Sequence, residues 1–102
     1  MEENSQRLRL LKSRYRSQAR IVYDILNTLY TEGMAPPTRL MYGARLPYDR
    51  LKKLLNQLLE NELIEEIKIN DHTYYRLTKK GAEALEELRR VKILLEQIGI
   101  RF

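Results

Sequence analysis

Lys52, Lys53, Asn56 and Gln57 stand close together on a stretch that reads as a helix. Their chemistry is that of base and phosphate contact: an amide can bond adenine at two atoms, and an ammonium can meet guanine or a phosphate. The N-terminal part of such a helix usually lies nearest the bases, which favours Tyr48, Asp49, Lys52 and Lys53. On the other side Leu51, Leu54, Leu55, Leu58 and Leu59 recur at i, i+3, i+4, i+7 and i+8, which predicts one buried stripe. A helix that hides leucines and shows Lys, Asn and Gln can lie on a polyanion and read it. A solvated face with no ligand is the competing reading. Asp49 works against phosphate contact, although the helix dipole also accounts for an acid in the first turn.

The elements around this helix must position it. A short helix is expected over Arg39 to Gly43, with Thr38 as its cap or Pro37 in its first turn. Gly43 supplies a backbone that tolerates a sharp turn. Leu46, standing before Pro47, is pushed out of the helical region, so the break falls near Arg45 and Leu46. The second helix then runs from Pro47 to Glu60, and two helices so closely joined form a helix-turn-helix. Arg39 lies on the short helix, and Arg45, in the turn, is a candidate phosphate clamp.

Upstream, Arg7, Arg9, Lys12, Arg14, Arg16 and Arg20 form a run with no acid between Gln6 and Arg20. Leu8, Leu11, Tyr15, Ala19, Val22, Leu26 and Leu29 keep to one helical face. That periodicity favours one long helix from Asn4 or Ser5 to Glu32, stopped by Gly33. The competing reading starts the helix near Ser17, after a basic arm. The cations would follow phosphate or enter a minor groove, or else form the solvated side of a dimerisation helix.

Downstream the pattern changes. Leu63 to Ile69 and His72 to Leu77 are rich in β-formers, and Asn70-Asp71 suits the turn of a hairpin. Lys68 and Arg76 flank that hairpin and His72 sits near its tip, where a histidine is commonly a solvent-exposed turn residue. Thr78 caps a last helix reaching about Ile98. Among the tyrosines, Tyr15, Tyr23 and Tyr30 read as helix-packing residues, Tyr42 and Tyr75 as core, and Tyr48 or Tyr74 as able to meet nucleic acid.

The order helix, helix, helix, hairpin, helix is that of a winged helix-turn-helix. The expected fold is mostly α with a small β-hairpin (α+β) and extended N- and C-terminal helices. Residues 1–16 form a basic extension, helix or arm; 17–81 the winged domain; 82–102 the C-terminal helix. The expected DNA-binding set is Arg39, Arg45, Tyr48, Asp49, Arg50, Lys52, Lys53, Asn56, Gln57, Lys68, His72 and Arg76.

Composition agrees. With 43% hydrophobic and 32% charged residues over 102 positions, the chain has room for one globular domain with a modest core. Through residue 60 it carries 11 basic and six acidic residues; the remainder carries eight of each. The entire excess of +5 therefore sits in the half that holds the helix-turn-helix, as a phosphate-facing surface requires.

The run Thr38-Arg-Leu-Met-Tyr-Gly-Ala44, with Leu46 and Tyr48, resembles the T-R-x-M-Y-G-A-x-L-x-Y signature of a family of small archaeal winged-helix proteins. Tyr75-Arg-Leu-Thr-Lys-Lys-Gly81 is similar to that family's Y-x-L-T-x-K-G junction between wing and last helix. The two motifs bracket residues 38 to 81 and leave residues 1 to 20 uncovered. The family includes abundant ten-kilodalton DNA-binding proteins that dimerise through an antiparallel coiled coil of their last helices. The resemblance thus implies double-stranded DNA as partner and a homodimer. The last helix here offers little more than two heptads, which points to a seam using both terminal helices: Leu8, Leu11, Tyr15, Leu85, Leu88, Leu95 and Ile98.

Other classes fit less well. There is no cysteine, no Ser-His-Asp set and no metal-ligand spacing, and the four glycines form no phosphate-cradling loop. No enzyme, cofactor, metal or small-molecule substrate is expected. The start of the chain, MEENSQRL, lacks the apolar core of a signal peptide, and no apolar run approaches a membrane span. A cytoplasmic, nucleoid-associated location is expected. Within DNA binding, a transcription regulator and a chromatin-coating protein are equally served by one basic face. The remaining rivals are a winged-helix protein-interaction module and, last, a basic amphipathic helix on an anionic membrane.

Overall fold

A computed structural model describes residues 17–102 of the chain. The extension 1–16, with the expected seam residues Leu8, Leu11 and Tyr15 and the cations Arg7, Arg9, Lys12, Arg14 and Arg16, lies outside the described residues. The described chain forms α1 (Gln18–Glu32), α2 (Pro37–Ala44), α3 (Tyr48–Glu60), β1 (Ile64–Ile69), β2 (His72–Leu77) and α4 (Lys79–Gln97). This is the α+β winged helix-turn-helix order.

α1 begins at Gln18, not near Asn4 or Ser5, so the later of the two expected starts is the observed one. The reason is local. Ser17 has extended backbone angles, and its Oγ accepts from the N–H of Arg20 at 3.0 Å, a hydroxyl N-cap. The same hydroxyl donates to the main-chain oxygen of Phe102 at 2.9 Å. Gly33, at φ 82, ends the helix by donating to the Leu29 carbonyl.

The link from α1 to α2 is more than a connector. Ala35 exchanges both backbone hydrogen bonds with Tyr75, adding a one-residue strand to the hairpin. Pro36 holds that neighbour extended, as a proline does, and Pro37 opens α2. Gly43 corrects the sequence reading: it lies inside α2, and the sharp turn is made by Arg45, whose backbone is left-handed at φ 55 and ψ 47. Gly43 matters for space, since a Cβ there would lie 3.2 Å from the Thr28 hydroxyl. Pro47 occupies the position just before α3.

β1 and β2 pair antiparallel with Ile64 opposite Leu77 and Ile69 opposite His72. Asn70 and Asp71 both take positive φ, 51 and 66, the geometry of a two-residue hairpin turn with the right twist. α4 starts on the hairpin's root. Thr78 Oγ1 accepts from Gly81 N–H and donates to the Glu62 carbonyl. At the other end Gly99, at φ 77, reverses the chain, and Phe102 returns to meet Tyr23 edge-on, ring centres 5.7 Å apart.

The core gathers Ile21, Ile25, Leu26 and Leu29 from α1, Leu40 and Ala44 from α2, and Leu51, Leu55 and Leu58 from α3. Ile64, Tyr75 and Leu85 close it. Leu54 and Leu59 pack at its edge, so the predicted leucine stripe is the buried one. Each such aliphatic side chain contributes about 1.5–3 kcal/mol on burial. Two expectations fail here. Tyr42 is 73% exposed and not core, and Leu85 is 2% exposed inside the domain, so it cannot form a dimer seam. α4 crosses the expected division at residue 81, because its first half is part of the same core.

Candidate nucleic-acid interface

Burial of Leu51, Leu55 and Leu58 fixes the rotation of α3, and the rest follows from 3.6 residues per turn. Asp49, Lys53, Asn56 and Glu60 succeed one another at i, i+4, i+7 and i+11, diametrically opposite the leucines. Tyr48 and Lys52 flank that line on one side, Arg50 and Gln57 on the other. All of these residues are exposed. The structure therefore brings Tyr48, Asp49, Arg50, Lys52, Lys53, Asn56 and Gln57 onto one convex surface.

Charge pairing divides the basic residues. Arg39 on α2 bonds Glu32 on α1 at 2.6 Å, and Arg76 on β2 pairs with Glu65 directly across the hairpin. Those two cations are held within the domain. Among the described residues, Arg45, Arg50, Lys52, Lys53 and Lys68 enter no ion pair. Asp49 likewise has neither ion pair nor hydrogen-bonded side-chain partner among them.

The hairpin splits its own candidates. Alternation places Lys68 on the face shared with Tyr75 and Glu66, and His72 and Arg76 on the opposite face. Lys68 alone shares a face with the buried side. His72 is exposed beside the tip, where the sequence placed it.

Tyr75 stands opposite Glu66 in the hairpin and within electrostatic range of Tyr48 at the start of α3. Burial pushes the Tyr75 hydroxyl above its ordinary value, and the Glu66 carboxylate and Tyr48 hydroxyl act in the same direction. The start of α3 itself is bare: Pro47 offers no side-chain acceptor to the first-turn N–H groups.

At the far end of α4 a second exposed surface stands out. Val91, Leu94 and Ile98 follow at i, i+3 and i+7, all open to solvent, with Leu95 half-buried beside them. Of the expected seam residues, Leu88 packs against the core, while Leu95 and Ile98 lie on this stripe. Val91 and Leu94 were missed, although their spacing from Ile98 could have found them. Phe102 was missed too. Nothing in a three-residue tail signals that it folds back.

Among the described residues no helix is long and apolar enough to cross a membrane, and no group of three or more acidic, His or Cys side chains could hold a metal ion.

A family model described as winged helix-turn-helix matches residues 15–96. Among solved structures, the chain is similar to Sso10a-2, a DNA-binding protein from Sulfolobus solfataricus. The TM-score is 0.74 and the identity 28%, over 81% of this chain and 85% of that one. It also resembles the adhesin competence repressor of Streptococcus pyogenes, with a TM-score of 0.68 and 17% identity over 94% of this chain and 73% of that one. A mutant MarR from E. coli complexed with operator DNA matches with a TM-score of 0.62 and 16% identity, over 70% of this chain. The match spans 53% of that MarR chain. The last two likenesses concern the fold alone. No curated protein matches the sequence.

Proposed function

The chain belongs to the winged helix-turn-helix family, and from that premise we propose that it binds double-stranded DNA as a transcription regulator, with α3 in the major groove. One observation carries the reading: on α3 the cations Arg50, Lys52 and Lys53 and the amides Asn56 and Gln57 occupy the exposed half of the helix, and none of the cations has an ion-pair partner among the described residues. Lys79, Lys80 and Arg101 are likewise without an ion pair among the described residues, but on α3 three such cations stand with two amides on one helix, a combination suited to phosphate and base edges. Arg45, in the turn, and Lys68, on the hairpin, flank α3 and would contact the backbone on either side. Arg39 and Arg76 would contribute less, because each would first have to leave its glutamate. The DNA-binding character of Sso10a-2 is in keeping with this reading. So are the archaeal motifs in residues 38 to 81. The protein would work on cellular DNA in the cytoplasm, as a binding protein and not an enzyme.

A homodimer completes the proposal. The apolar stripe Val91, Leu94 and Leu95 on α4, with Ile98 at its C-cap, would supply the seam that Leu85 cannot form. Two protomers would set two α3 helices on half-sites about one helical turn apart.

Titrating random-sequence duplex at low and at physiological salt tests both parts. Affinity should fall steeply with salt, each neutralised phosphate adding about −0.9 to the log–log slope, and saturation should come at two protomers per duplex. Failure to retain duplex even at low salt removes the DNA-binding reading; saturation at one protomer removes the dimer.

A further inference from the structure

On the most outward line of α3 stands an acid. Asp49 is its second residue, opposite Leu51, Leu55 and Leu58, exposed, and without an ionic or hydrogen-bonded side-chain partner among the described residues. Lys53, four residues on, is placed for the ordinary helical ion pair but does not form it. A carboxylate therefore projects, unpaired among the described residues, from the first turn of an otherwise basic helix face. If that surface served only phosphate, this is the position where an acid would do most harm.

We propose that Asp49 is a specificity-determining residue that accepts a hydrogen bond from the exocyclic amine of a cytosine in the major groove. The inference rests on the DNA-binding reading above. The N-terminal turn of a recognition helix reaches deepest toward base edges, which brings Asp49 to the bases while Lys52, Arg50 and Arg45 meet the backbone. An ionised carboxylate has acceptors only. In the major groove guanine offers acceptors at N7 and O6 and thymine an acceptor at O4, so neither satisfies it. Two bases offer an amine: adenine N6, whose neighbouring N7 acceptor repels the second carboxylate oxygen, and cytosine N4, which has no acceptor beside it in the groove and satisfies the acid best. Asp49 thus acts twice: it selects cytosine at one position of each half-site, and it repels phosphate wherever that cytosine is absent. The free cations supply affinity for any duplex, and the acid lowers affinity for the wrong ones.

The experiment selects bound duplexes from a pool randomised across the site, with wild type and with Asp49→Asn. Asparagine keeps the shape, removes the charge and gains a donor, which suits adenine N6 and N7. Wild type should enrich cytosine at one position per half-site. Asp49→Asn should lose that preference or change it to adenine, and bind random duplex more tightly. Its ratio of selected to random affinity should drop by about tenfold or more. An unchanged sequence preference with unchanged random-duplex affinity overturns the inference and leaves Asp49 as a helix-dipole residue, a role that a lowered melting temperature would report by itself. If wild type retains no duplex from the pool, the DNA-binding reading falls first, and the two failures are told apart.

Discussion

α3 and α4 are both amphipathic and both carry cations on an exposed side, yet they treat most of those cations in opposite ways. On α4, Arg89 and Arg90 reach Glu86 at 3.7 and 3.9 Å, Arg90 also reaches Glu87 at 3.6 Å, and Lys92 bonds Glu96 at 3.1 Å. On α3, Arg50, Lys52 and Lys53 enter no ion pair among the described residues. The helix starts differ in the same sense: Thr78 caps α4 with its hydroxyl, while Pro47 leaves α3 uncapped. The later turns of α4 pair Arg89, Arg90 and Lys92 within its own sequence, and only Lys79 and Lys80, in its first turn, enter no ion pair among the described residues. α3 keeps its cations for something outside the chain. The contrast separates scaffold from reading surface more sharply than net charge does, because the cations of both helices count equally toward +5.

The largest effect is expected at the root of the scaffold. A Cβ on Gly81 would lie 1.9 Å from the Leu63 carbonyl oxygen and 2.9 Å from its carbon. Those atoms are backbone, held by the Thr78 N–H at 3.2 Å, and cannot swing aside. Gly81→Ala should cost about 3 kcal/mol or more, seen as a drop in Tm of more than about 10 °C. Asn56→Ala, on the reading surface, should leave Tm within a few degrees. A Gly81→Ala protein that melts with wild type would mean that α4 is not anchored as described.

Next comes the surface itself. Lys52→Ala together with Lys53→Ala should leave Tm nearly unchanged, weaken duplex binding by at least tenfold at physiological salt, and reduce the log–log salt slope by about 1.8. A folded double variant that binds like wild type would show that α3 does not touch DNA.

Much of this division was legible in the residues. Period 3.6 located α3 and its buried leucines, and the Asn70-Asp71 turn and Thr78 cap have side chains or backbone preferences that act within four residues of themselves. What stayed hidden depends on residues distant in sequence. Ser17 starts α1 because it serves two partners, one of them Phe102 at the other end of the chain. Leu85 and Ile98 look alike as apolar positions of one helix, and only the placement of α1 and the hairpin buries the first and leaves the second 59% exposed. The ion pairs that withdraw Arg39 and Arg76 from the site join residues 7 and 11 positions apart, in different elements. Sequence told which residues are polar. It could not tell which were already engaged.

The smallest effect is the one that isolates engagement from charge. Arg90→Ala removes one positive charge from the chain, as Lys52→Ala does, so any account based on net charge assigns them equal consequences. Pairing does not. Arg90 lies between Glu86 and Glu87, so its deletion frees Glu87, leaves Glu86 to Arg89, and exposes no phosphate contact to loss. Such exposed pairs are worth about 0–1 kcal/mol, so Tm should barely move. Lys52→Ala should lower the salt slope by about 0.9, and Arg90→Ala should leave it unchanged within error. Equal slope changes for the two variants would mean that DNA responds to the diffuse field of the whole molecule and not to a dedicated face. Unequal changes, in that order, would assign the phosphate contact to α3 and leave α4 with the scaffold.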